Sequence, residues 1–308
     1  MLGVSKVAFI SFLVASIGFG GSGLTVERKP TGRWPRVTCD PGILNPESYR
    51  ITTEAIPSIW MEPLPKLLYP LPEDVFDLQY RRTVAVTDQA VAALDLDERN
   101  LMAHNILARN FLVFHNTWNE AKYHWQVLFQ NGKGVTFDAV IYSVDGRSMF
   151  IVRLTPEAIE VYRYGQFGRM AMGYPPATPK YRRFWLSHNG CIPPEIHPDA
   201  AIPWTIVREI KSKRWVQDLK LRQKVTLSSD RGKKKTTNKL RIAFLGGIGH
   251  AERTIDWYNS YIYGYPEVKY YTYGPADYNE RLRDTLLAIV DPKGRIRKPK
   301  ASKSGIGW

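Results

Sequence analysis

Cys191 lies between His188 and His197, with Glu195 and Asp199 close by. This is the only stretch where nucleophile- or metal-type side chains gather locally in the 308-residue chain. A cysteine beside a histidine is the pairing that activates a thiolate for acyl or group transfer. A hydrolase or transferase built on the Cys191 loop is therefore one reading. The other is a packed loop in which the cysteine is structural. Cys39 is the only other cysteine, and two cysteines allow one bridge and no four-thiolate site. Spacing alone leaves the pairing of Cys39 with Cys191 open; an oxidising compartment would permit it.

Other catalytic patterns are incomplete. Leu245-Gly246-Gly247-Ile248-Gly249-His250 follows an apolar run, as a dinucleotide loop does, but Glu252 stands where the third glycine belongs. No Lys-Ser/Thr pair follows it, which excludes a P-loop, and no His-Glu-x-x-His occurs among the six histidines. No cofactor and no metal are expected, and the reading leans away from an enzyme.

Charge is the stronger signal. The formal net charge is +14. Between Arg208 and Arg241 stand thirteen Lys/Arg against Glu209, Asp218 and Asp230, a net +10. Residues 292–308 add six Lys/Arg and no acid, so the rest of the chain sums to about −2. A basic hairpin and a basic tail on a near-neutral body are what a polyanion-binding surface requires, through counterion release and field focusing. They are equally what a solvated loop and a disordered tail look like. At 44% hydrophobic and 23% charged residues, the chain is neither wholly disordered nor a multi-span membrane protein.

Lys6 precedes an apolar run over 7–19, and Gly20-Gly21-Ser22-Gly23 follows. That layout predicts a secretory signal over 1–23. The uncharged span reaches residue 26, so an uncleaved N-terminal anchor is the alternative. Residues 24–72, with prolines at 30, 35, 41, 46, 57, 63, 65, 70 and 72, read as an irregular segment. From Glu73 the period becomes helical, through Val84, Thr87, Val91 and Leu94. Further helices are expected over 101–114 and 118–129. After Asn131-Gly132 the period becomes two, with strands at 135–143, 147–153 and 158–164 around a Val144-Asp145-Gly146 turn. A Pro-rich insertion fills 165–199. Strands resume at 201–204, 207–210, 218–228 and 239–245, with a hairpin tip at Asp230-Arg231-Gly232 and the lysines that follow. A helix is expected over 251–263 and another over 278–290, the aromatic segment 265–291 holding the second.

Two resemblances accompany this pattern. Ala90-Val91-Ala92-Ala93-Leu94-Asp95-Leu96-Asp97 with Asn100, then Ala103-His104, Leu107-Ala108 and Trp118-Asn119-Glu120-Ala121, resemble one and a half tetratricopeptide repeats over 83–129. Glu98 stands where that family often has proline, and the helices are one residue further apart. The resemblance implies a helical hairpin, taken as 73–130, that docks peptides or proteins. Leu154-Thr155-Pro156-Glu157-Ala158-Ile159 and the run from Ala201-Ile202-Pro203-Trp204 to Val207-Arg208-Glu209-Ile210 resemble a bacterial pleckstrin-homology-like barrel over about 135–263, within a domain taken as 131–264. Lipid-headgroup binding is not carried over, because the basic phosphoinositide motif is not visible in the first hairpin, where Arg147 and Arg153 are the only basic residues.

The expected fold class is α+β: a short antiparallel helical hairpin packed with an antiparallel β barrel or curled sheet closed by a C-terminal helix. The expected function is an exported, non-catalytic adaptor or scaffold, periplasmic or extracellular. Its expected partner is a protein or an anionic envelope polymer, with nucleic acid behind them and membrane contact only through an uncleaved N-terminus. The contact residues would be Arg231, Lys233, Lys234 and Lys235 at the hairpin tip, with Arg214 and Trp215. The alternatives are the Cys191 enzyme and a nucleic-acid-binding protein using the basic hairpin and tail.

Overall fold

The computed structural model describes residues 33–61, 73–113, 117–146, 148–167, 190–213, 216–245 and 278–299. Contacts divide the chain into Met1–Trp34 and Pro35–Trp308, and the fold set out below is that of the second unit.

The segment read as irregular over 24–72 contributes a 16-residue helix, α1 (Pro46–Met61). Pro46 opens its first turn, where a backbone N–H has no helical partner to lose. Asn45 caps it, its Oδ1 accepting from Glu47 N at 3.0 Å. The helix then runs on through Pro57, one donor short. Proline position, which a proline count ignores, decides the outcome.

Helices α2 (Glu73–Leu96), α3 (Leu101–Asn110) and α4 (Trp118–Gln130) follow the sequence periodicity, α3 ending four residues before its expected end at 114. Val86, Ala90, Ala93 and Leu94 of α2 are buried at helical spacing. All of α3 but Arg109 is buried, which makes it the central helix of the group. Asn100, fully buried, ties these elements together. Its Oδ1 caps α3 by accepting from Ala103 N, while its Nδ2 donates to Ser48 O, Ser48 Oγ and Thr52 Oγ1 of α1. Beside it, Asp97 accepts from Asn45 N at 2.8 Å and from the Arg99 guanidinium at 2.7 and 2.9 Å. Hydrogen bonding from Arg99 outweighs burial and holds the Asp97 carboxyl down at about 2. Gly132, at φ +64°, ends α4: Gly132 N donates to Phe129 O and Lys133 N to Leu128 O, a Schellman closure.

Seven antiparallel strands follow: β1 (Val135–Ile141), β2 (Met149–Leu154), β3 (Ala158–Arg163), β4 (Ala200–Pro203), β5 (Val207–Ser212), β6 (Gln217–Ser228) and β7 (Lys234–Leu245). They form one nearly closed, barrel-like sheet in the order β4-β3-β2-β1-β7-β6-β5. Its inner face carries Phe137, Val152, Leu154, Ile159, Leu219 and Phe244, among others. The final helix α5 (Tyr278–Val290) packs Leu282 and Leu286 onto this layer. The space left between them is about 20 Å³, room for roughly one water. The architecture is therefore α+β, with a barrel-like sheet and a C-terminal helix. The helix expected over 251–263 lies outside the described residues.

The outer face of β1–β3 is covered. The described part of the insertion, 165–167 and 190–199, lays Phe167, Ile192 and Ile196 on Ile151 and Tyr162. Helix α3 covers β1 from the other side, where Asn105 Oδ1 accepts from Thr136 N. Cys39 and Cys191 are joined by a disulfide across 152 residues of sequence. The tail does not begin as a disordered segment. Ile296 is buried, and 295–298 lies along β5, with Ile210 N donating to Arg297 O and Arg297 N to Arg208 O. No helix of the described residues is long and apolar enough to cross a membrane.

Two outcomes follow from these constraints. Replacing both cysteines (C39S/C191S) should cost about 3–5 kcal/mol, because the bridge closes a long loop in the unfolded chain; urea unfolding with and without reductant measures it. The Asp97 contribution is fully present above the unfolded carboxyl pKa and fades as pH falls toward about 2. With Arg99 partly exposed, it is worth about 1–2 kcal/mol. D97N should lose that amount near neutral pH and only a small part of it near pH 2, read from urea midpoints across the pH range.

Candidate polyanion-binding surface

No described segment covers the other half of the sheet to this extent; at its border with β1, Ala243 and Val216 pack with Val140 and Met149. On the outer face of β5–β7, Asp218 accepts from Arg241 Nε at 2.7 Å and pairs with Lys213 at 2.7 Å, and Glu209 pairs with Lys220 at 2.8 Å. Burial pushes the Asp218 carboxyl up, but the hydrogen bonds from Arg241 and Lys213 win, and it sits below its ordinary value. Glu209 is also lowered, chiefly by the hydrogen bond from Lys220. Both acids are thus ionised and already occupied by cations. Lys239 stands directly opposite Lys220, a like-charge cross-strand pair that costs stability.

Beyond this point β6 leaves β5, and β7 leaves β1. Residues 222–239 then form a two-stranded ribbon that pairs with no other described strand, and within it only Leu227 and Ser229 are buried. A bulge starts it: between the pairs Lys220–Lys239 and Val225–Thr237, four residues of β6 lie opposite one of β7. Such an insertion bends and twists the strand. Gly232, at φ +77°, supplies the left-handed turn that returns the chain, and Ser229 N donates to Lys233 O across it.

The ribbon's cations fall into two groups. Arg231 Nε and Lys233 Nζ turn back toward Asp145 of the β1–β2 turn, at 3.9 and 3.5 Å. Arg222, Lys224, Lys234, Lys235 and Lys239 are exposed and form no ion pair with any described residue. Of the residues singled out from sequence, Lys234 and Lys235 therefore present free charge, while Arg231 and Lys233 spend part of theirs on Asp145. Arg214 and Trp215 lie outside the described residues. Arg222, Lys224 and Lys239 belong to the basic stretch of the sequence but lie outside its tip. Their pairing across the hairpin is the signal that places them beside the tip lysines.

The Cys191 loop does not assemble a nucleophile. Its sulfur is bonded to Cys39, so it holds no thiolate; His197 is exposed, and His188 is outside the described residues. The Gly246–Gly249 run is likewise outside them, as are the aromatics of 257–273. Tyr278 is buried at the start of α5. One pairing was invisible in the sequence. His104 and His124, buried on α3 and α4, hydrogen-bond through their Nδ1 atoms at 2.9 Å, and His104 Nε2 lies 2.8 Å from Glu98 O. Those bonds occupy both nitrogens of His104. Among the described residues no group of three His, Cys, Asp or Glu side chains is placed to hold a metal ion.

Fold and surface together define a class: a mixed α+β protein whose β6–β7 hairpin is exposed and basic. Comparison with protein-family models, with curated proteins and with solved structures found no match. The Lys220–Lys239 opposition gives a direct check. K239E should stabilise the fold by about 0.5 kcal/mol in urea unfolding at low salt, a gain that shrinks as salt is added.

Proposed function

We propose that this protein is an exported, non-catalytic adaptor that binds a linear polyanion of the cell envelope through its basic ribbon. One observation carries the reading: five cations on a ribbon exposed along almost its whole length, without ion-pair partners among the described residues. A charged track of this kind binds by displacing the counterions of a polymer. At about 3.3 Å per residue, the strand from Lys234 to Lys239 runs roughly 17 Å, several charge spacings of a polyelectrolyte.

Three features support the rest. The Cys39–Cys191 bridge suits an oxidising compartment, in keeping with the signal-like N-terminus. Seven antiparallel strands with a C-terminal helix fit a pleckstrin-homology-like reading, and α2–α4 fit a repeat-like hairpin able to engage a protein. From Val216 to Ala243 the chain has no aromatic residue. Base stacking, the usual second source of affinity for single-stranded nucleic acid, is missing from the ribbon. That favours a polymer read by charge over one read by its bases.

The test is equilibrium binding of the purified chain to long-chain polyphosphate over a range of salt concentrations. Affinity should fall steeply with salt, and K234A/K235A should reduce the log–log slope by roughly 1.5, at about 0.7–0.9 per charge lost. Salt-independent binding, or a slope unmoved by the double variant, would sink the reading. Preference for particular nucleotide sequences at matched charge would replace it with the nucleic-acid reading. Intact mass from fractionated cells should show a mature chain beginning near Leu24, outside the cytoplasm; a full-length cytoplasmic chain overturns the export half.

A further inference from the structure

A two-stranded ribbon exposed on most of its surface is marginal by itself in water. Something must hold this one, and the contacts at its tip show what does. Asp145 sits in the β1–β2 turn with its side chain 1% exposed. Its Oδ2 accepts from Ser148 Oγ at 2.7 Å and from Ser229 Oγ at 3.1 Å, and its Oδ1 accepts from Lys233 Nζ at 3.5 Å. Arg231 Nε lies 3.9 Å from Oδ2. Ser148 belongs to the same turn as Asp145. Ser229, Arg231 and Lys233 all belong to the ribbon tip, more than eighty residues further along the chain. A second clasp stands beside the first: Gly165 N, just after β3, donates to Asp230 at 2.7 Å. A Cβ at Gly165 would meet the Asp230 carboxylate at 2.7 Å, so a side chain there would push the carboxylate from its present position.

We infer that Asp145 is the positioning residue of the polyanion site: it locks the ribbon tip onto the barrel, so that Arg222, Lys224, Lys234, Lys235 and Lys239 are held as a fixed track before any ligand arrives. This rests on the polyanion reading above and adds how that site is organised. The carboxylate faces away from the polymer and touches none of it. Its effect is entropic, because a track ordered in advance does not have to be ordered on binding. A buried carboxylate suits the task, since it gathers hydroxyl and cationic donors from two distant segments at once.

The sign of one substitution separates positioning from simple charge. D145N removes a negative charge beside the ribbon. If Asp145 were only a counter-charge, polyphosphate would bind more tightly; as a positioning residue, its loss should weaken binding about tenfold. S148A/S229A gives the same test without changing any charge. It should weaken polyphosphate binding about three- to tenfold, leave the salt slope unchanged, and speed amide exchange over 229–235 while β1 and β2 keep their protection. A merely structural role would not separate affinity from slope in this way. Tighter binding by D145N, or unchanged affinity in S148A/S229A, overturns the inference. K234A/K235A measured alongside keeps the two claims apart: its failure to lower the slope overturns the polyanion reading itself.

Discussion

The covalent closure between Cys39 and Cys191 is the constraint on which the arrangement of this molecule turns. It ties the strand-like segment around Thr38, which pairs with Asn100 at the head of α3, to the loop that covers β2 and β3. Among the described residues the helices meet the barrel-like sheet chiefly where α3 lies on β1, where Trp125 of α4 meets Phe137, and where α5 packs on β5. A crosslink spanning 152 residues removes much of the unfolded chain's freedom and fixes one side of the sheet as the covered side.

The two halves of the sheet then divide the labour. The outer face of β2 and β3 is buried under Phe167, Ile192 and Ile196, and β1 and β2 are buried almost without a break along their length. The outer face of β5–β7 meets water, so its strands alternate apolar with charged residues, as in Leu219-Lys220-Leu221-Arg222. One sheet thus shows the two-sided burial of a central layer at one end and the one-sided burial of a surface layer at the other. The tail completes the pattern by pairing along β5, which covers an edge that would otherwise offer unpaired backbone groups.

Much of this was legible in the residues. The period changes at Glu73 and Val135 located the helices and the first strands, and the final helix falls on the expected 278–290. Three features were not legible, each for a physical reason. Helix α1 hid behind its prolines because a count of prolines ignores that Pro46 stands where a helix tolerates it. The strand β7 begins at Lys234, not near Lys239, because four consecutive polar residues, Lys235 to Asn238, carry no alternation when both faces are wet. The clasp at Asp145 joins segments more than eighty residues apart, and an Asp-Gly pair in a turn gives no sign of what its carboxylate will reach.

The electrostatics of the ribbon explain why the clasp and the bulge belong to one device. Concentrating like charges on adjacent strands works against folding, as the Lys220–Lys239 opposition does locally. A straight continuation of β6 and β7 would carry that repulsion away from the barrel on an unsupported hairpin. The bulge at 221–224 permits a bend, and the bend brings the tip within reach of Asp145 and Gly165. Two of the tip's cations share the single Asp145 carboxylate there, beside the anchoring hydroxyls, while those along the ribbon's length remain exposed. Charge is partly offset at the turn and left exposed along the ribbon, where the proposed polymer would lie. A surface shaped for solubility alone has no need of that distinction, since a loose ribbon keeps a protein in solution as well as a fixed one.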